Sequence, residues 1–261
     1  MPLQYVNQEA EVGINGITPR MIADVMELKH LHFEDVSFFN PFLKQFAAET
    51  LLAGGEVYAV QKDNGAVCGL LLYDAVEKTG SIFTRSRDAC YLLSGLKSKM
   101  AFFSELPLDL RKEIYLIYAR DMSDFSFMHR FVHEVRLARD EDLPDVLDVM
   151  KNVGARINPG WIHAAFAAGE KCFIVRNGRN IAGAAWLAMA GEKGRLHSLA
   201  VSPQFRKQGI GTDLLFARLL WLGRSGAQYA FSEIAESNKA SRSIAARGGM
   251  HQAGEMYHYF G

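Results

Sequence analysis

The segment RKQGIG, residues 206–211, has the composition of an anion-binding turn. It follows an alternating apolar run and a proline, and it precedes a helix-like run. The first turn of a helix offers unpaired N–H groups and partial positive charge, and glycine lets the backbone approach a phosphate closely. Arg206 and Lys207 add full positive charges. The segment therefore predicts a phosphate or pyrophosphate site, although it matches neither the P-loop of ATPases nor the dinucleotide fingerprint.

Strands and helices predicted on both sides of this turn would hold it in place. Residues 194–202 form the preceding strand, and the apolar residues from Ile210 to Trp221 fall on one stripe of the following helix. Similar patterns predict strands at 134–138, 172–178, 179–191 and 228–237, and helices at 140–153, 158–169 and 238–249. The final run, MHQAGEMYHYF (250–260), is predicted to form two paired strands.

The first half of the chain repeats this order of elements at low similarity. Four pairs of residues recur at a separation of 114, namely Gly69 and Gly183, Gly80 and Gly194, Gly95 and Gly209, and Tyr115 and Tyr229. A constant register with one element order favours a duplicated unit, and the alternative is an unrelated domain. The boundary is predicted within 121–134, which gives domains 1–130 and 134–261. In this register Arg206 and Gly211 align with Leu92 and Lys97, so the first half lacks the charged turn.

Composition excludes several classes of protein. The 29 basic and 29 acidic residues give no net charge, so neither nucleic-acid nor membrane binding is expected, and no apolar run is long enough to span a membrane. The polar first twelve residues lack the pattern of a signal peptide. Three isolated cysteines favour a reducing, cytoplasmic compartment. No metal is expected, because His129 and His133, four apart as on one helix face, have no third ligand.

The stretch LHSLAVSPQFRKQGIGTDLL (196–215) resembles the signature of the GNAT superfamily of N-acetyltransferases. RKQGIG fits the pattern [Q/R]xxGx[G/A], and VSP precedes it as the family's strand end does. Downstream, NKASRSIAARGGM supplies Asn238 and Gly249-Met250 at the matching spacing. The resemblance covers residues 134–261 and implies the GNAT fold, an α/β fold of the α+β type with a mixed central sheet flanked by helices. With the repeat, it predicts a tandem of two GNAT-like halves, of which the first is degenerate.

The resemblance also implies acetyl-CoA as co-substrate. The amides from Lys207 to Thr212 would hold the pyrophosphate, Asn238 would contact the pantetheine arm or the neighbouring phosphate, and an amide of Leu199 or Ala200 would polarise the thioester carbonyl. The full set of predicted CoA-binding residues is Leu199, Ala200, Val201, Arg206, Lys207, Gln208, Gly209, Ile210, Gly211, Thr212 and Asn238.

The catalytic residues remain open between several candidates. An amine acceptor must lose its ammonium proton, and the candidate bases are Glu233, Glu236 and His197. The family often places a tyrosine seven residues after the asparagine, as acid for the leaving thiolate, but that position here is Ala245. Tyr257 or Tyr259 of the last strand could substitute, and the alternative is that both are ordinary strand aromatics. Activity does not require the tyrosine, because CoA thiolate is a tolerable leaving group.

The function implied is acetyl transfer from acetyl-CoA to a primary amine of a small molecule or peptide. The alternatives are a non-catalytic acyl-CoA-binding regulator and a scaffold, and an oligomer is possible. The acceptor amine and the acyl chain preferred stay open. The aromatic-rich segment 30–42 predicts core packing or contact between the halves, or a wall of the acceptor groove.

Overall fold

Short apolar runs separated by glycine-containing turns form the strands of one mixed sheet in the computed structural model, which describes residues 17–97, 99–154 and 158–260. In the first half these are β1 (Ile17–Ile22), β2 (Glu56–Lys62), β3 (Val67–Asp74), β4 (Thr79–Phe83), β5 (Ala101–Ser104) and β6 (Lys112–Asp121). In the second half they are β7 (Arg136–Leu137), β8 (Lys171–Asn177), β9 (Asn180–Ala190), β10 (Lys193–Val201), β11 (Tyr229–Ala235) and β12 (His251–Tyr259).

Seven helices of the described chain cover the two faces of this sheet. They are α1 (Val25–His30), α2 (Leu43–Leu52), α3 (Arg87–Gly95), α4 (Leu143–Asn152), α5 (Pro159–Ala167), α6 (Ile210–Arg224) and α7 (Lys239–Arg247). None of these helices is long and apolar enough to cross a membrane. The polar segment of the first twelve residues lies outside the described ranges.

The strand order has an internal symmetry. It runs β1-β2-β3-β4-β5-β12-β6-β11-β10-β9-β8-β7, and adding or subtracting six from each number gives the same list reversed. The halves are therefore related as two copies that have exchanged their last strands. Strand β6 lies between β11 and β12, and β12 lies between β5 and β6.

Alternating side chains divide the second half into two packed layers. Side chains of β8 to β10 on one face pack with α6, where a Cβ on Gly183 would lie 2.8 Å from the Ile210 side chain. Side chains on the other face, with Trp186 fully buried, pack with α4 and α5. The stripe predicted on α6 is buried at Ile210 and Leu214, whereas Trp221 is half-buried.

An aromatic cluster joins the halves, as the composition of segment 30–42 predicts. Phe38, Phe39 and Phe42 each contact the ring of Phe231 on β11, at centroid distances of 5.0, 5.6 and 5.5 Å. This places α2, which follows the segment, over the face of the second half that α5 also covers. The same face carries the acidic groups described below.

The repeat register of 114 does not hold beyond the first hairpin of each half. Gly69 and Gly183 occupy equivalent positions in β3 and β9, as do Tyr73 and Leu187. Tyr73 pairs with Gly80, whereas Leu187 pairs with Leu196, so the structural equivalent of Gly80 is Leu196 and not Gly194. Gly95 ends α3, whereas Gly209 precedes α6. Two insertions explain this. The span from Leu187 to Leu196 is two residues longer than that from Tyr73 to Gly80, and eight residues (202–209) join β10 to α6 where three (84–86) join β4 to α3.

Two further details differ from the sequence-based predictions. The final segment forms one long strand, β12, because β5 and β6 supply both of its neighbours. His129 and His133 lie in an irregular segment between β6 and β7 and not on a helix. Both rings contact the buried carboxylate of Asp213 on α6, at 2.6 and 2.8 Å, which fastens this segment to the second half. Within the described ranges, no group of three or more metal-ligating side chains is found.

Candidate functional site

Strands β10 and β11 separate partway along their length and open a cleft. They pair in parallel only from Lys193 to Arg195, opposite Tyr229 to Phe231. Beyond that point β11 stays paired with β6 and β10 stays paired with β9, so the gap opens between β10 and β11. A bulge accompanies the divergence, because Ser198 and Leu199 both lie opposite the single residue Ala185, and Ser198 adopts a left-handed φ of 51°.

The cleft passes through the sheet. Its cavity of about 550 Å³ is lined by Leu196 and Leu215, which pack under α6 on one face, and by Tyr115, which packs with the aromatic cluster of the other face. A second cavity of about 730 Å³ lies at the start of α6 and shares Leu199, Asn238, Ser241 and Ile244 with the first. The two cavities therefore form one path from the predicted phosphate turn to the gap between the strands.

The predicted phosphate turn has the backbone geometry of an anion site. Lys207 and Gly209 adopt left-handed φ values of 62° and 92°. Within the described chain, the five amides from Lys207 to Gly211 find no hydrogen-bond acceptor. The amide of Thr212, also predicted to bind phosphate, donates instead to the carbonyl of Gly209 at 2.9 Å. A run of unbonded N–H groups next to Arg206 and Lys207 is suited to a pyrophosphate.

Gly211 is the position at which the absence of a side chain matters most. A Cβ there would lie 2.9 Å from the Ile244 side chain and 3.7 Å from that of Leu199, both of which line the second cavity. It would therefore project into the path between α6 and α7. The other predicted residues of this region line the same path, with Ala200 buried and paired to Ala184, except Gln208, which is exposed and does not line the cavity.

Asn238 has a structural task as well as a place beside the cleft. Its side-chain oxygen accepts a hydrogen bond from the amide of Ser241 at 3.1 Å and caps α7. It lines both cavities, as predicted for a residue beside the pantetheine arm. Ala245, where a tyrosine is usual, is buried and lines the first cavity.

The predicted catalytic residues separate into two groups. Glu233 and His197 line the cleft, whereas Glu236 is exposed and lines none of the three cavities described here. Tyr257 and Tyr259 also lie away from the cleft, because β12 is inserted into the first half. The Tyr259 hydroxyl is fully occupied there, donating to the carbonyl of Leu106 and accepting from the amide of Leu108.

Glu233 is held in an ion pair. Its Oε1 accepts a hydrogen bond from Nε of Arg195 at 2.9 Å, and the guanidinium lies 4.8 Å above the ring of Phe46. Arg218, fully buried on α6, donates to the carbonyls of Trp186 and His197 and so fixes β10 at the point where the bulge begins. Burial lowers the pKa of Arg218.

Residues that sequence reasoning did not find surround His197. Oε2 of Glu170, in the turn after α5, lies 3.1 Å from Nε2 of His197. Glu170 lies next to Glu49 of α2, because Gln45 donates to both carboxyl groups, at 2.8 and 3.4 Å. Burial raises the pKa of both glutamates, and mutual repulsion raises that of Glu49 further. Burial lowers the pKa of His197 well below its usual range.

A third cavity, of about 280 Å³, lies between the halves next to these groups. The first half contributes Phe46, Glu49, Asp74 and Phe83 to its walls, among others, and the second half contributes Trp161, Arg195, His197 and Ser198. His197 and Ser198 also line the cleft through the sheet. The cavity therefore meets the cleft at the bulge of β10.

Tyr115 is a further residue that the sequence did not indicate. It lies on β6 of the first half, opposite Ala235 on β11, and its ring packs edge-on against Phe103 at 5.1 Å. Burial raises the pKa of its phenol, which therefore keeps its proton at neutral pH. Because β6 occupies the gap between β11 and β12, the first half delivers a hydroxyl to the cleft of the second.

Comparison with known proteins identifies the class. Residues 136–250 match the model of the acetyltransferase (GNAT) family. The whole fold is similar to a crystal structure assigned to the GNAT family from Novosphingobium aromaticivorans, with a TM-score of 0.61 at 13% identity over 86% of this chain and 96% of that one. A GCN5-related N-acetyltransferase from Sphaerobacter thermophilus gives 0.57 at 11% identity over 95% and 96%.

A tandem GNAT protein from the clavulanic acid biosynthesis pathway also gives a TM-score of 0.57, at 11% identity over 94% of this chain and 97% of that one. No curated protein matches the sequence. Residues 136–250 are thus a GNAT acetyltransferase domain. The chain as a whole has the mixed α/β fold of a tandem GNAT protein, with a GNAT-like first half.

Proposed function

We propose that this chain transfers an acetyl group from acetyl-CoA to a primary amine. The observation that carries the proposal is the cavity that crosses the sheet at the separation of β10 and β11. Unbonded amides lie at one end of the path, and buried carboxyl groups lie at the other. Such a path lets a long anionic co-substrate enter from one face and an amine from the opposite face.

The residues around α6 fit coenzyme A. The amides of 207–211, with Arg206 and Lys207 beside them, would hold the pyrophosphate, and Gly211 leaves room for the chain that follows it. The diverging edge of β10, residues 199–201, would bond the pantetheine arm. When bound, acetyl-CoA supplies an activated thioester. The protein's part is then to align the amine with it and to handle protons.

Three groups of the cleft have roles in this alignment. The amide of Leu199, released from regular pairing by the bulge, would stabilise the negative charge that develops on the thioester oxygen. Tyr115 would donate a proton to the departing thiolate, in place of the tyrosine that Ala245 replaces. Glu233 is committed to Arg195 and keeps that guanidinium in place, so it is not the best candidate for the base.

One observation favours a second function. Ala245 stands in the cleft where the family often has the tyrosine that protonates the thiolate. A chain without that proton donor would bind acyl-CoA as a regulator and would not turn it over. The two functions differ in a simple measurement. A regulator binds acetyl-CoA but releases no CoA thiol when amines are added.

The test combines binding and turnover on the full chain. Acetyl-CoA binding is measured by calorimetry, and thiol release is followed with 2-phenylethylamine, putrescine and alanine amide as acceptors. Binding with amine-dependent thiol release supports acetyl transfer. Gly211→Asp should abolish both, because its side chain would enter the path and its charge would repel the pyrophosphate. Binding without release from any amine would favour the regulator, and absence of binding would leave a scaffold.

A further inference from the structure

Two glutamates from different halves of the chain form a buried carboxyl pair. Glu49 lies on α2 of the first half and Glu170 follows α5 of the second, and each is 3% exposed. The side-chain amide of Gln45 donates to both carboxyl groups, at 2.8 and 3.4 Å, which places the two carboxyls next to each other. Two carboxylates so close and so buried cannot both stay ionised, so the pair must hold a shared proton.

Polar atoms next to the pair lack partners. Oε2 of Glu170 and Nε2 of His197 are buried and have no hydrogen-bond partner within the described residues, although they lie 3.1 Å apart. Buried polar atoms are rarely left unpaired, because each costs about 1–3 kcal/mol when unsatisfied. Such atoms at the meeting point of two cavities are typical of a site that is completed by a ligand or a moving proton.

The cavity beside the pair suits the amine end of an acceptor. Glu49 and Asp74 provide carboxyl groups, and Phe46, Phe83 and Trp161 provide aromatic walls. Carboxylates and aromatic faces both attract an ammonium group. The cavity of about 280 Å³ meets the cleft at His197 and Ser198, so an amine held in it is directed toward the thioester side.

We propose that the acceptor amine binds in this cavity between the halves and gives its ammonium proton to Glu49, whose carboxyl shares a proton with Glu170. This inference rests on the acetyl transfer proposed above. Glu49 lines the cavity and is the catalytic residue. Glu170, which does not line it, and His197, at the point where the cavity meets the cleft, act as positioning residues. The base of the reaction thus comes from the half that lacks the phosphate turn.

The proton balance is complete with the groups named. The ammonium gives one proton to the singly protonated pair, which passes it to solvent after turnover. The free amine nitrogen attacks the carbonyl carbon, the C–N bond forms and the C–S bond breaks. The nitrogen loses its second proton to water as the amide forms. The thiolate takes a proton from Tyr115, which recovers one from that water, so each turnover releases one proton in total.

The charged groups that face the pair set its proton affinity. Arg195 on β10 acts on both glutamates, His197 lies 3.1 Å from Glu170, and Glu233 on β11 and Arg218 on α6 act on His197. Arg195 opposes the effect of burial and lowers the pKa of both glutamates. The balance leaves the pair titrating near neutral pH, where a general base is most effective.

The experiment compares the full chain with Glu49→Gln, Glu170→Gln and the matched control Glu192→Gln, which changes an exposed glutamate in the turn before β10. Carbon-13 NMR of chains labelled at the glutamate side-chain carboxyl should reveal two resonances that titrate near neutral pH. Each pair variant should lose one of these two resonances, and the control should keep both. If every glutamate carboxyl titrates in the ordinary acidic range, the proposal is wrong.

Turnover separates this inference from the proposed function. With whichever of the three amines is used best, Glu49→Gln should lower kcat/KM by about 10² or more, the usual effect of losing a general base. Acetyl-CoA affinity should stay unchanged, which also reports that the variant is folded. Glu170→Gln should shift the acidic limb of the pH profile, and Glu49→Asp should restore part of the rate. Full activity in Glu49→Gln would overturn the inference while acetyl transfer stands, whereas acetyl-CoA binding without turnover of any amine by the parent chain would overturn both.

Discussion

A fragment of residues 134–261 is expected not to fold by itself, although it contains the whole segment that matches the GNAT family model. Cutting there removes β6, which pairs with β11 from Tyr229 to Ala235 and with β12 from His251 to Tyr259. Strand β12 would lose both neighbours, since β5 also belongs to the first half. The fragment would keep the phosphate turn but not the sheet that holds it.

The size of the effect follows from the side chains that β6 buries. Leu116, Ile117 and Tyr118 are 4, 3 and 9% exposed. Burial of a large apolar side chain is worth about 1.5–3 kcal/mol, so the three together contribute about 5–9 kcal/mol. That is comparable with the total stability of an ordinary domain, about 5–15 kcal/mol. Loss of the strand should therefore unfold the fragment.

The assay compares 134–261 with a longer fragment, 110–261, that carries β6 and its natural connection. Urea unfolding followed by circular dichroism should give a cooperative transition for the longer fragment and none for the shorter. Leu116→Asp in the longer fragment is the control, and it should behave like the shorter one because a buried apolar contact becomes an uncompensated charge. Cooperative unfolding of 134–261, with the acetyl-CoA affinity of 110–261, would refute the reasoning, and the boundary at 130–134 would then mark independent domains.

Three further predictions concern the cleft and its proton groups. One chain should bind one acetyl-CoA in a calorimetric titration. In the first half the amide of Ala89, at the start of α3, already donates to the side chain of Ser86 and is not free to bind a phosphate. Two equivalent sites per chain would contradict this. Tyr115→Phe should lower kcat about 10-fold or more without changing acetyl-CoA affinity, as loss of a general acid does, and an unchanged rate would assign thiolate protonation to solvent. The raised pKa values of Glu49 and Glu170 give stability that is complete below the ordinary glutamate pKa of about 4.3 and is lost as pH rises toward neutrality. The melting temperature of the parent chain should fall as pH rises across this range, and that of Glu49→Gln should fall less. Equal pH dependence of the two melting temperatures would mean that the pair is already ionised.

The phosphate turn was predictable because its chemistry is local. Glycines, basic residues and a following apolar stripe within 206–222 are enough to place a strand, a turn and a helix in order. The carboxyl pair was not predictable, because Glu49 and Glu170 are 121 residues apart and each resembles an ordinary surface glutamate. Only the packing of α2 onto the second half brings them together.

The exchange of strands was hidden for the same reason. An apolar run predicts that β6 and β12 exist, but it does not say which neighbours they have, and Tyr257 was therefore expected beside a cleft that it does not reach. The repeat register failed because two extra residues in the hairpin of β9 and β10, and then the longer segment 202–209, displace every later position. Hydrophobic patterns record which elements are buried, whereas pairing over long sequence separations depends on the complete chain.

The exchanged strands also govern how the protein can be made. During synthesis the first half emerges from the ribosome with β5 and β6 complete but without the strand that lies between them. The missing neighbour, β12, appears some 150 residues later, and the Tyr259 hydroxyl then reaches back to the backbone of Leu106 and Leu108. Until that moment both strand edges are exposed and prone to pairing with other chains. The sheet of the first half is therefore incomplete until the last residues of the chain have been made.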